Sequence, residues 1–553
     1  MEMQRSFLPP GRPGSLRGKR SSWMADRHCP NHCNFDCSIT QSGATLDTGG
    51  NMKSERDPSQ ALQVSRLRKD AVGLWGVLFM TMATAAPITA MVGNVPIAVG
   101  FGNGANAPAG YMVATVLLTL FSVGYVEMAK HITSTGAFYG FISHGLGRVV
   151  GLASGVAVTW TYMIFEAALV GIFAFFCADL LGSLLGLRVD WIFLAALMLL
   201  VNGILCHFDI ELTSRVLGIA LVLEIAMLLL MAVAVLFHGG GAQGMSWESI
   251  NPVNAFKAAE GIPKATAGIG LFFAFWSWVG FESSAMYGEE SRNPKKIIPQ
   301  ATMISVIGIG ALYTFVSWMA IAGTGAAESV RLAQNPATGS EIFFTPTRVL
   351  LGDWAVIVFK ILLISGSFAC GMAFHNCAAR YSFALGREKL FAVFGSTVGR
   401  SHEIHGSPYI ASFVQTLFAS TLVLVFWLMG KDPYADLYAV LAILGTMAIM
   451  IVQTLCAFSV IAYFHFGGNE SRRHAHWFKT FVAPLIGGVG MIYVTHLLWI
   501  NKEFAAGDSA TSLLFRLIPW LVAASFLTGA CIALYFKYFD KDKYDIIGRI
   551  VLK

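Results

Sequence analysis

Long apolar stretches separated by short polar segments dominate the sequence from residue 71 onward. A helix needs about 20 apolar residues to cross the hydrocarbon core of a bilayer, and most of these stretches approach or exceed that length. The pattern therefore predicts an all-α polytopic membrane protein with twelve transmembrane helices. The predicted spans 1 to 12 cover residues 72–99, 109–130, 150–178, 191–207, 214–237, 265–287, 301–323, 353–383, 408–429, 435–464, 481–500 and 515–538.

Two of the predicted spans carry residues that weaken or break a helix. Span 1 contains Pro87 and Gly93, and span 6 contains Gly280. Proline lacks the backbone donor and clashes with the preceding turn, whereas glycine adds backbone freedom. Within a bilayer such breaks are tolerated where they line a cavity. Either break alone is explained as well by a simple kink, but two breaks at matching positions of two halves favour a transporter site.

Three motifs resemble segments of the amino acid–polyamine–organocation (APC) superfamily. GFESSAMYGEESRNPKKIIPQA (residues 280–301) resembles its sixth helix and the following loop. STGAFYGFISHGLG (134–147) resembles the loop after its second helix, and AARYSFALGREKLF (378–391) resembles the loop after its eighth. The resemblance extends over about residues 70 to 540. It implies a LeuT-type fold, in which spans 1–5 and 6–10 form a 5+5 inverted repeat with broken helices 1 and 6.

The resemblance also implies where substrate binds. Substrate would lie between the two breaks, against Ala86, Pro87, Ile88 and Thr89 of span 1 and Trp276, Val279, Gly280 and Phe281 of span 6.

FWSWVGFES (residues 275–283) is similar to the sixth helix of the bacterial arginine–agmatine exchanger of this superfamily. There a Trp stacks on substrate and a Glu takes part in proton linkage, roles that fall by motif to Trp276 and Glu282. Many members bind a carboxylate with a Gly-Ser/Thr-Gly type segment in helix 1. This chain has residues 85–89, AAPIT, at that place, which favours an amine without a carboxylate.

Four ionisable residues fall in mid-span: Glu166, Glu224, Glu282 and Lys360. Each costs at least ~2.5–3.5 kcal/mol near the bilayer centre, so each needs a partner, a wet cavity or a proton-carrying role. We expect Glu282 to couple protons, with capping of the loosened backbone as the alternative. Glu166 and Lys360 are expected to pair across spans 3 and 8 and to contribute to coupling. Glu224 is expected to have a structural partner behind the site.

The aromatic residues of span 6 offer a second kind of substrate contact. Trp276, Trp278 and Phe281 could present a cation–π face, or they could pack against helices and lipid. At helical spacing the three cannot all point the same way, so we expect Trp276 and Phe281 to line the site. Ser365 and Ser367 could bind Na⁺, although such hydroxyls more often bond to backbone carbonyls, and sodium is the less favoured coupling ion.

Composition and charge agree with a membrane protein and add its orientation. The chain of 553 residues is 55% hydrophobic and 13% charged, against about 25% charged in soluble proteins. Beyond the N-terminal tail, the predicted segments on the N-terminal side hold 18 Lys and Arg, and the opposite segments hold 8. By the positive-inside rule both termini are cytoplasmic in a plasma (inner) membrane, and the net charge of +6 does not indicate nucleic-acid binding.

The chain divides into three predicted regions. Residues 1–70 are polar and Arg-rich, which predicts a disordered cytoplasmic tail. Residues 71–540 form the transporter domain, and 541–553 form a C-terminal tail. The Cys- and His-containing segment 28–37 could bind a metal, but its spacing matches no common zinc pattern and we predict no metal site. Met52 offers an alternative translation start.

Motifs for other functional classes are missing from the sequence. It contains no P-loop, no G-x-S-x-G elbow and no CxxC pair, and HEIH at residues 402–405 is not the H-E-x-x-H zinc helix. We therefore predict neither an enzyme nor a cofactor. A secondary active transporter of amino acids or organic amines fits best, by proton-coupled symport. An exchanger, a sensor without flux and a channel are the alternatives, and spans 11 and 12 could serve a homodimer or packing alone.

Overall fold

The computed structural model describes residues 67–207, 210–241, 243–262, 265–335, 337–390, 395, 397–505 and 512–549. The predictions for residues 1–66, including the disordered tail, the Cys/His segment 28–37 and the start at Met52, lie outside the described residues.

The described residues fold into helices, with one isolated bridge between Val72 and Ser291. The α-helices are α1 Leu74–Ala85, α2 Pro87–Ala98, α3 Ala107–His131, α4 Phe138–Gly145, α5 Arg148–Leu185, α6 Trp191–Leu205, α7 Ile210–Phe237, α8 Ala267–Trp276, α9 Pro294–Thr324, α10 Ala326–Ala333, α11 Glu341–Leu351, α12 Asp353–Arg387, α13 Tyr409–Leu428, α14 Ala439–Ile461, α15 Asn469–Arg472, α16 Ala483–Ala505, α17 Leu513–Phe539 and α18 Lys541–Ile546. A 3₁₀ helix, Phe281–Tyr287, follows α8 after a short turn.

Nine helical stretches of the described chain are long and apolar enough to cross a membrane. One of them, Leu74–His131, takes in predicted spans 1 and 2. Predicted span 4 is the shorter apolar helix α6, and span 6 is interrupted after α8. The all-α polytopic prediction is therefore confirmed, whereas the number twelve and the inverted repeat stay predictions.

Side chains explain where several helices begin. Pro87 occupies the first position of α2, where its missing amide hydrogen costs nothing. The Asp190 carboxylate accepts the Ile192 amide at 3.2 Å at the start of α6. The Ser512 hydroxyl accepts the Phe515 amide at 3.2 Å at the start of α17. Both side chains satisfy backbone donors that a helix start leaves open.

Apolar side chains lie inside the bundle and also over much of its outer surface. Tyr162 and Met447 are buried between helices, while Phe193, Phe413 and Trp520 are each more than two-thirds exposed. Soluble monomers rarely expose apolar area on this scale. The outer surface is therefore suited to lipid, with the polar groups turned inward.

The bundle end at which α1 begins and α17 ends, called here the terminal end, is closed by the C-terminal segment 541–549. Ile547 is fully buried in a cluster with Tyr139, Leu152 and Leu390. Arg148 pairs with Asp545 at 2.9 Å. Part of the predicted C-terminal tail is thus packed against α4, α5 and the end of α12.

Gly548 hydrogen-bonds this segment to α4 and to the end of α12. Its amide donates to the Tyr139 hydroxyl at 2.8 Å and to Glu388 Oε1 at 2.9 Å. Its φ is +67°, and a Cβ there would collide with Ser143. Glycine is therefore required for both reasons. Burial raises the pKa of Glu388 to about 8, against opposing hydrogen bonds from Tyr139 and Gly548.

We expect docking of the C-terminal segment to weaken as pH rises. When the segment leaves, Glu388 regains water and a pKa near its ordinary 4.5. Its contribution to docking is then fully present below about 4.5 and is lost as pH rises to about 8. Hydrogen exchange of the Gly548 amide, corrected for the intrinsic rate, should accelerate across this range. Glu388→Gln should remove the pH dependence, and the same pH dependence in that variant would contradict the account.

Candidate substrate-binding site

The first helix break lies at one residue. Helix α1 ends at Ala85, α2 begins at Pro87, and Ala86 between them has φ +46°. A non-glycine residue in this left-handed region is strained, so the surrounding structure must hold it. The predicted break at Ala86 and Pro87 is confirmed. Gly93, by contrast, lies inside α2 and breaks nothing.

The second break lies directly against the first. Helix α8 ends at Trp276, and Gly280 turns the chain with φ +112° into the 3₁₀ helix. A Cβ on Gly280 would lie 2.5 Å from Thr84 Cγ2 and 2.9 Å from the Thr84 carbonyl carbon. Glycine is therefore needed both for its φ and for the approach of the two breaks.

Side chains satisfy the backbone groups that the breaks release. The Tyr313 hydroxyl donates to the Ala85 carbonyl at 2.8 Å, and the Cys370 thiol donates to the Thr84 carbonyl at 3.4 Å. Glu282 Oε2 accepts the Gly280 amide at 3.0 Å. These contacts take the place of the backbone hydrogen bonds that are lost at the breaks, because lipid offers no hydrogen-bond partner.

A small cavity of about 20 Å³ lies between the two breaks. This volume holds about one water molecule, so the cavity in this structure has no room for an amino acid. Of the residues predicted to bind substrate, Ala86, Thr89, Trp276 and Val279 line the cavity.

The other predicted contacts lie beside the cavity. Pro87 and Ile88 begin α2 directly after the first break, and Gly280 forms the second break. The Phe281 ring packs edge-on against Phe121, with the centroids 6.1 Å apart. The Trp278 ring packs against Tyr313 at 5.0 Å.

A chain of hydrogen bonds forms the polar wall of the cavity. The Trp276 indole donates to the Tyr438 hydroxyl at 3.0 Å, and that hydroxyl donates to Asn94 Oδ1 at 3.0 Å. Asn94 Nδ2 in turn donates to the Ser277 hydroxyl at 3.0 Å. The Thr89 hydroxyl, which is buried, has no hydrogen-bond partner within the described chain. It is therefore available to a bound molecule.

Sequence reasoning missed Asn94, Ser277 and Tyr438. The sequence did offer a signal for Asn94. Its side-chain amide lies within an apolar span, and a buried amide needs hydrogen-bond partners. Ser277 directly follows the predicted Trp276. Tyr438 lies in a distant span, and only the fold brings it near.

Glu282 joins three helices at the second break. It is fully buried, and its Oε1 accepts the Tyr162 hydroxyl of α5 at 2.9 Å. Its backbone carbonyl accepts the Tyr125 hydroxyl of α3 at 2.7 Å. With the bond to the Gly280 amide, this geometry accommodates both the capping role and the proton-carrying role raised by the sequence.

The predicted pairing of Glu166 with Lys360 was wrong. Lys360 pairs with Asp179 at 3.0 Å, because its long side chain reaches the more exposed end of α5. Glu166 pairs instead with the buried His375 of α12, at 3.0 Å.

Glu224 lies at the first break, not behind the site as expected. Its carboxylate interacts with the Ile88 amide, and a Cβ on Gly366 would lie 2.8 Å from its Cδ. Its Oε2 has no partner among the described residues. A carboxylate at the start of α2 is favoured by the positive end of the helix dipole.

Two buried ion pairs, called here the double ion pair, lie at the terminal end near the 3₁₀ helix. Arg380 donates to both oxygens of Glu290 at 2.9 and 3.0 Å, and Arg387 donates to both oxygens of Glu289. The Thr135 amide adds a bond to Glu289 at 3.0 Å.

The two carboxyls of the double ion pair differ in pKa. Burial acts to raise both values, and the guanidinium partners oppose it. The bonds from Arg387 and Thr135 outweigh burial and lower the pKa of Glu289. Burial, with repulsion from Glu289, leaves the pKa of Glu290 raised despite Arg380.

The candidate sodium ligands are engaged with their own helix. Ser365 donates to the Leu362 carbonyl at 3.0 Å, and Ser367 donates to the Ile364 carbonyl at 2.9 Å. Groups of three or more His, Cys, Asp or Glu arranged to hold a metal do not occur in the described part of the chain.

Comparison with known proteins identifies the family of this chain. The model of the amino acid permease family matches residues 72–535. The low-affinity putrescine importer PlaP of Escherichia coli K12 is 22% identical over 429 residues, covering 77% of this chain and 87% of PlaP.

Two relatives come from Bacillus subtilis 168. The branched-chain amino acid permease BcaP is 24% identical over 361 residues, covering 62% of this chain and 70% of BcaP. The serine/threonine exchanger SteT is 20% identical over 400 residues, covering 72% and 84%. The family match spans both breaks, the cavity and the double ion pair, so the chain belongs to the amino acid permease family within the APC superfamily and is a multi-pass membrane transporter.

Proposed function

We propose that the chain moves amino acids or related organic amines across the plasma membrane by alternating access, coupled to protons. The observation that carries the proposal is the small cavity between two touching helix breaks. A cavity of about 20 Å³ is too small for substrate and must widen before substrate binds. A site that opens to one side at a time is what a carrier requires.

The proposal includes the twelve-helix LeuT-type arrangement with both termini cytoplasmic. The breaks in spans 1 and 6 are five spans apart, as an inverted repeat of two halves requires. The excess of Lys and Arg on the N-terminal side supports the orientation. The terminal end of the bundle is then the cytoplasmic end.

An amine is the substrate group that this cavity suits best. Pro87 has no amide hydrogen, the Ala90 amide bonds to the Ala86 carbonyl at 2.8 Å, and the Ile88 amide interacts with Glu224. Little of the positive end of α2 is therefore available to a carboxylate. The carbonyl ends of α1 and α8 attract a cation, and the Trp276 face and the Thr89 hydroxyl complete such a site. PlaP, by its name, imports an amine without a carboxylate.

Glu282 is the proposed proton carrier. Its carboxylate links the second break to Tyr162 of α5, so a change of its charge alters the contact between the moving break and α5. Glu166 acts through His375 in this proposal. Lys360 pairs with Asp179 rather than with Glu166 or Glu282. One charge driven by 100 mV gains about 2.3 kcal/mol, which suffices for roughly fifty-fold accumulation. Exchange, as SteT's name describes for that protein, is the second candidate.

Uptake into proteoliposomes tests the proposal. We expect purified protein with an imposed inward proton gradient to take up putrescine or another amine, and a protonophore to abolish that uptake. Uptake that requires substrate inside the vesicles would mean an exchanger. Transport of α-carboxylate compounds alone would contradict recognition through the amine, and binding without flux would contradict the carrier.

The same vesicles test Glu282. We expect Glu282→Gln to make uptake or exchange independent of the proton gradient, because a neutral amide cannot bind and release the proton. Glu341→Gln is the matched control, since Glu341 lies in the partly exposed pair with Arg348. A gradient response equal to wild type in Glu282→Gln would assign the proton to another group.

We propose that the double ion pair is the cytoplasmic gate. It ties the loop that directly follows the 3₁₀ helix of the second break to α12, on the side where the cavity must open. Removing one member leaves a buried charge unpaired, at a cost of about 3–5 kcal/mol. The closed form therefore depends on both pairs.

Arg387→Gln should open this gate more often. Cys377 is buried one turn beyond the cavity-lining residues of α12, against the Tyr287 hydroxyl, so we expect maleimide to label it faster in Arg387→Gln. Cys377→Ser identifies the labelled residue. Arg348→Gln, which breaks a partly exposed pair worth about 0–1 kcal/mol, should leave the rate unchanged. Equal labelling of Cys377 in Arg387→Gln and wild type would refute the gate.

A further inference from the structure

A buried acid–imidazole pair lies in the middle of the bundle, apart from the two breaks. His375 Nδ1 lies 3.0 Å from each carboxylate oxygen of Glu166, and both side chains are fully buried. On its other side, His375 Nε2 lies 2.7 Å from the Ser412 hydroxyl of α13. Gln415 Nε2 donates to Glu166 Oε2 at 2.6 Å and to the Met163 carbonyl at 3.2 Å.

This arrangement gives both ring nitrogens of His375 a hydrogen-bond partner in two protonation states. With a neutral imidazole, Nδ1–H donates to Glu166 and Nε2 accepts the Ser412 hydroxyl hydrogen. With an imidazolium, both ring nitrogens donate, and the Ser412 hydroxyl rotates to become the acceptor. A buried group that keeps its hydrogen bonds in both states avoids the cost of an unpaired polar atom.

The other ionisable groups around the pair are engaged elsewhere. The residue after α6 contributes the Cys206 thiol, which accepts from Asn376 at 3.2 Å. Helix α12 contributes Arg380, which is committed to Glu290. Helix α5 contributes Tyr162, which donates to Glu282. Helix α13 presents the neutral Ser412 and Gln415. Within the described chain, His375 is therefore the ion-pair partner of Glu166.

The pair is connected to the cavity through its chain neighbours. Phe165, beside Glu166, packs on the Trp276 ring with centroids 4.8 Å apart. Phe374, beside His375, lines the cavity and packs on Phe165 at 5.1 Å. A change in the Glu166–His375 contact thus acts directly on the aromatic wall behind Trp276.

We propose that His375, held between Glu166 and Ser412, is a second proton-binding residue of this transporter, and that its protonation sets the position of the aromatic wall and with it substrate uptake. The coupling to uptake rests on the proposed function; the proton binding does not. Glu166 and Ser412 are positioning residues, since they act through His375.

Titration of ¹⁵N-histidine-labelled full-length protein in lipid nanodiscs tests the proton site. We expect the imidazole signals of wild type to include one pH-dependent resonance that is lost in His375→Gln and kept in His465→Gln. His465, on Thr480 at 3.0 Å, is the matched control outside the pair. Absence of any His375 signal that changes between pH 5 and 9 would overturn the proposal.

A single substitution could leave Glu166 unpaired and unfold the protein, since a lone buried charge is costly. The double variant Glu166→Gln/His375→Gln removes both ionisable side chains and should remain folded, again without the resonance. Its uptake of putrescine should lose part of the pH dependence seen in wild type. An unchanged pH profile would overturn the coupling.

The two proposals fail in different ways. If wild type transports nothing, the proposed function fails, and the histidine titration still decides whether the pair binds a proton. If wild type transports and the His375 resonance does not titrate, the proton site alone is refuted.

Discussion

The whole site depends on one constraint: in hydrocarbon, every backbone donor and acceptor must find a partner inside the protein. A helix that stops at Ala85 and restarts at Pro87 releases carbonyls that lipid cannot satisfy. The chain supplies Tyr313 and Cys370 for the first break and Glu282 for the second. Each of these side chains comes from, or reaches towards, a different helix. The breaks are therefore also the points at which several helices are held together.

This constraint explains why glycine and a carboxylate stand inside an apolar segment. Gly280 adopts a φ that other residues resist, and its lack of a Cβ lets the second break touch Thr84 of the first. Glu282 then caps the exposed amide of Gly280 and reaches Tyr162. Gly280 and Glu282 thus stabilise the break, and Glu282 also supplies a carboxylate that can bind a proton. The contacts that hold the two breaks together are those that must change when the cavity widens.

The sequence predicted those features that local physics controls. Apolar length identified the helices, and Pro87 and Gly280 located both breaks, because their backbone effects are intrinsic to the residues. The family resemblance placed Trp276 at the cavity. Partners of buried charges could not be predicted, since His375 and Glu166 are 209 residues apart and only the packing of α5 on α12 joins them. For the same reason Glu224 was expected behind the site, although its partner is the Ile88 amide at the first break, and Tyr438 and the double ion pair were missed.

The central claim is that close approach of the two breaks builds the substrate site, and Gly280→Ala tests it most directly. The substitution places a Cβ against Thr84 and imposes a strain of about 1–3 kcal/mol. Gly308→Ala on α9 is the matched control, because a Cβ there meets no atom within 4 Å. Binding of radiolabelled putrescine and leucine to purified full-length protein is the measurement. We predict that Gly280→Ala loses at least about ten-fold in affinity, or about 1.4 kcal/mol, for whichever compound wild type binds, while Gly308→Ala retains wild-type affinity. Wild-type affinity in a folded Gly280→Ala variant would contradict the account.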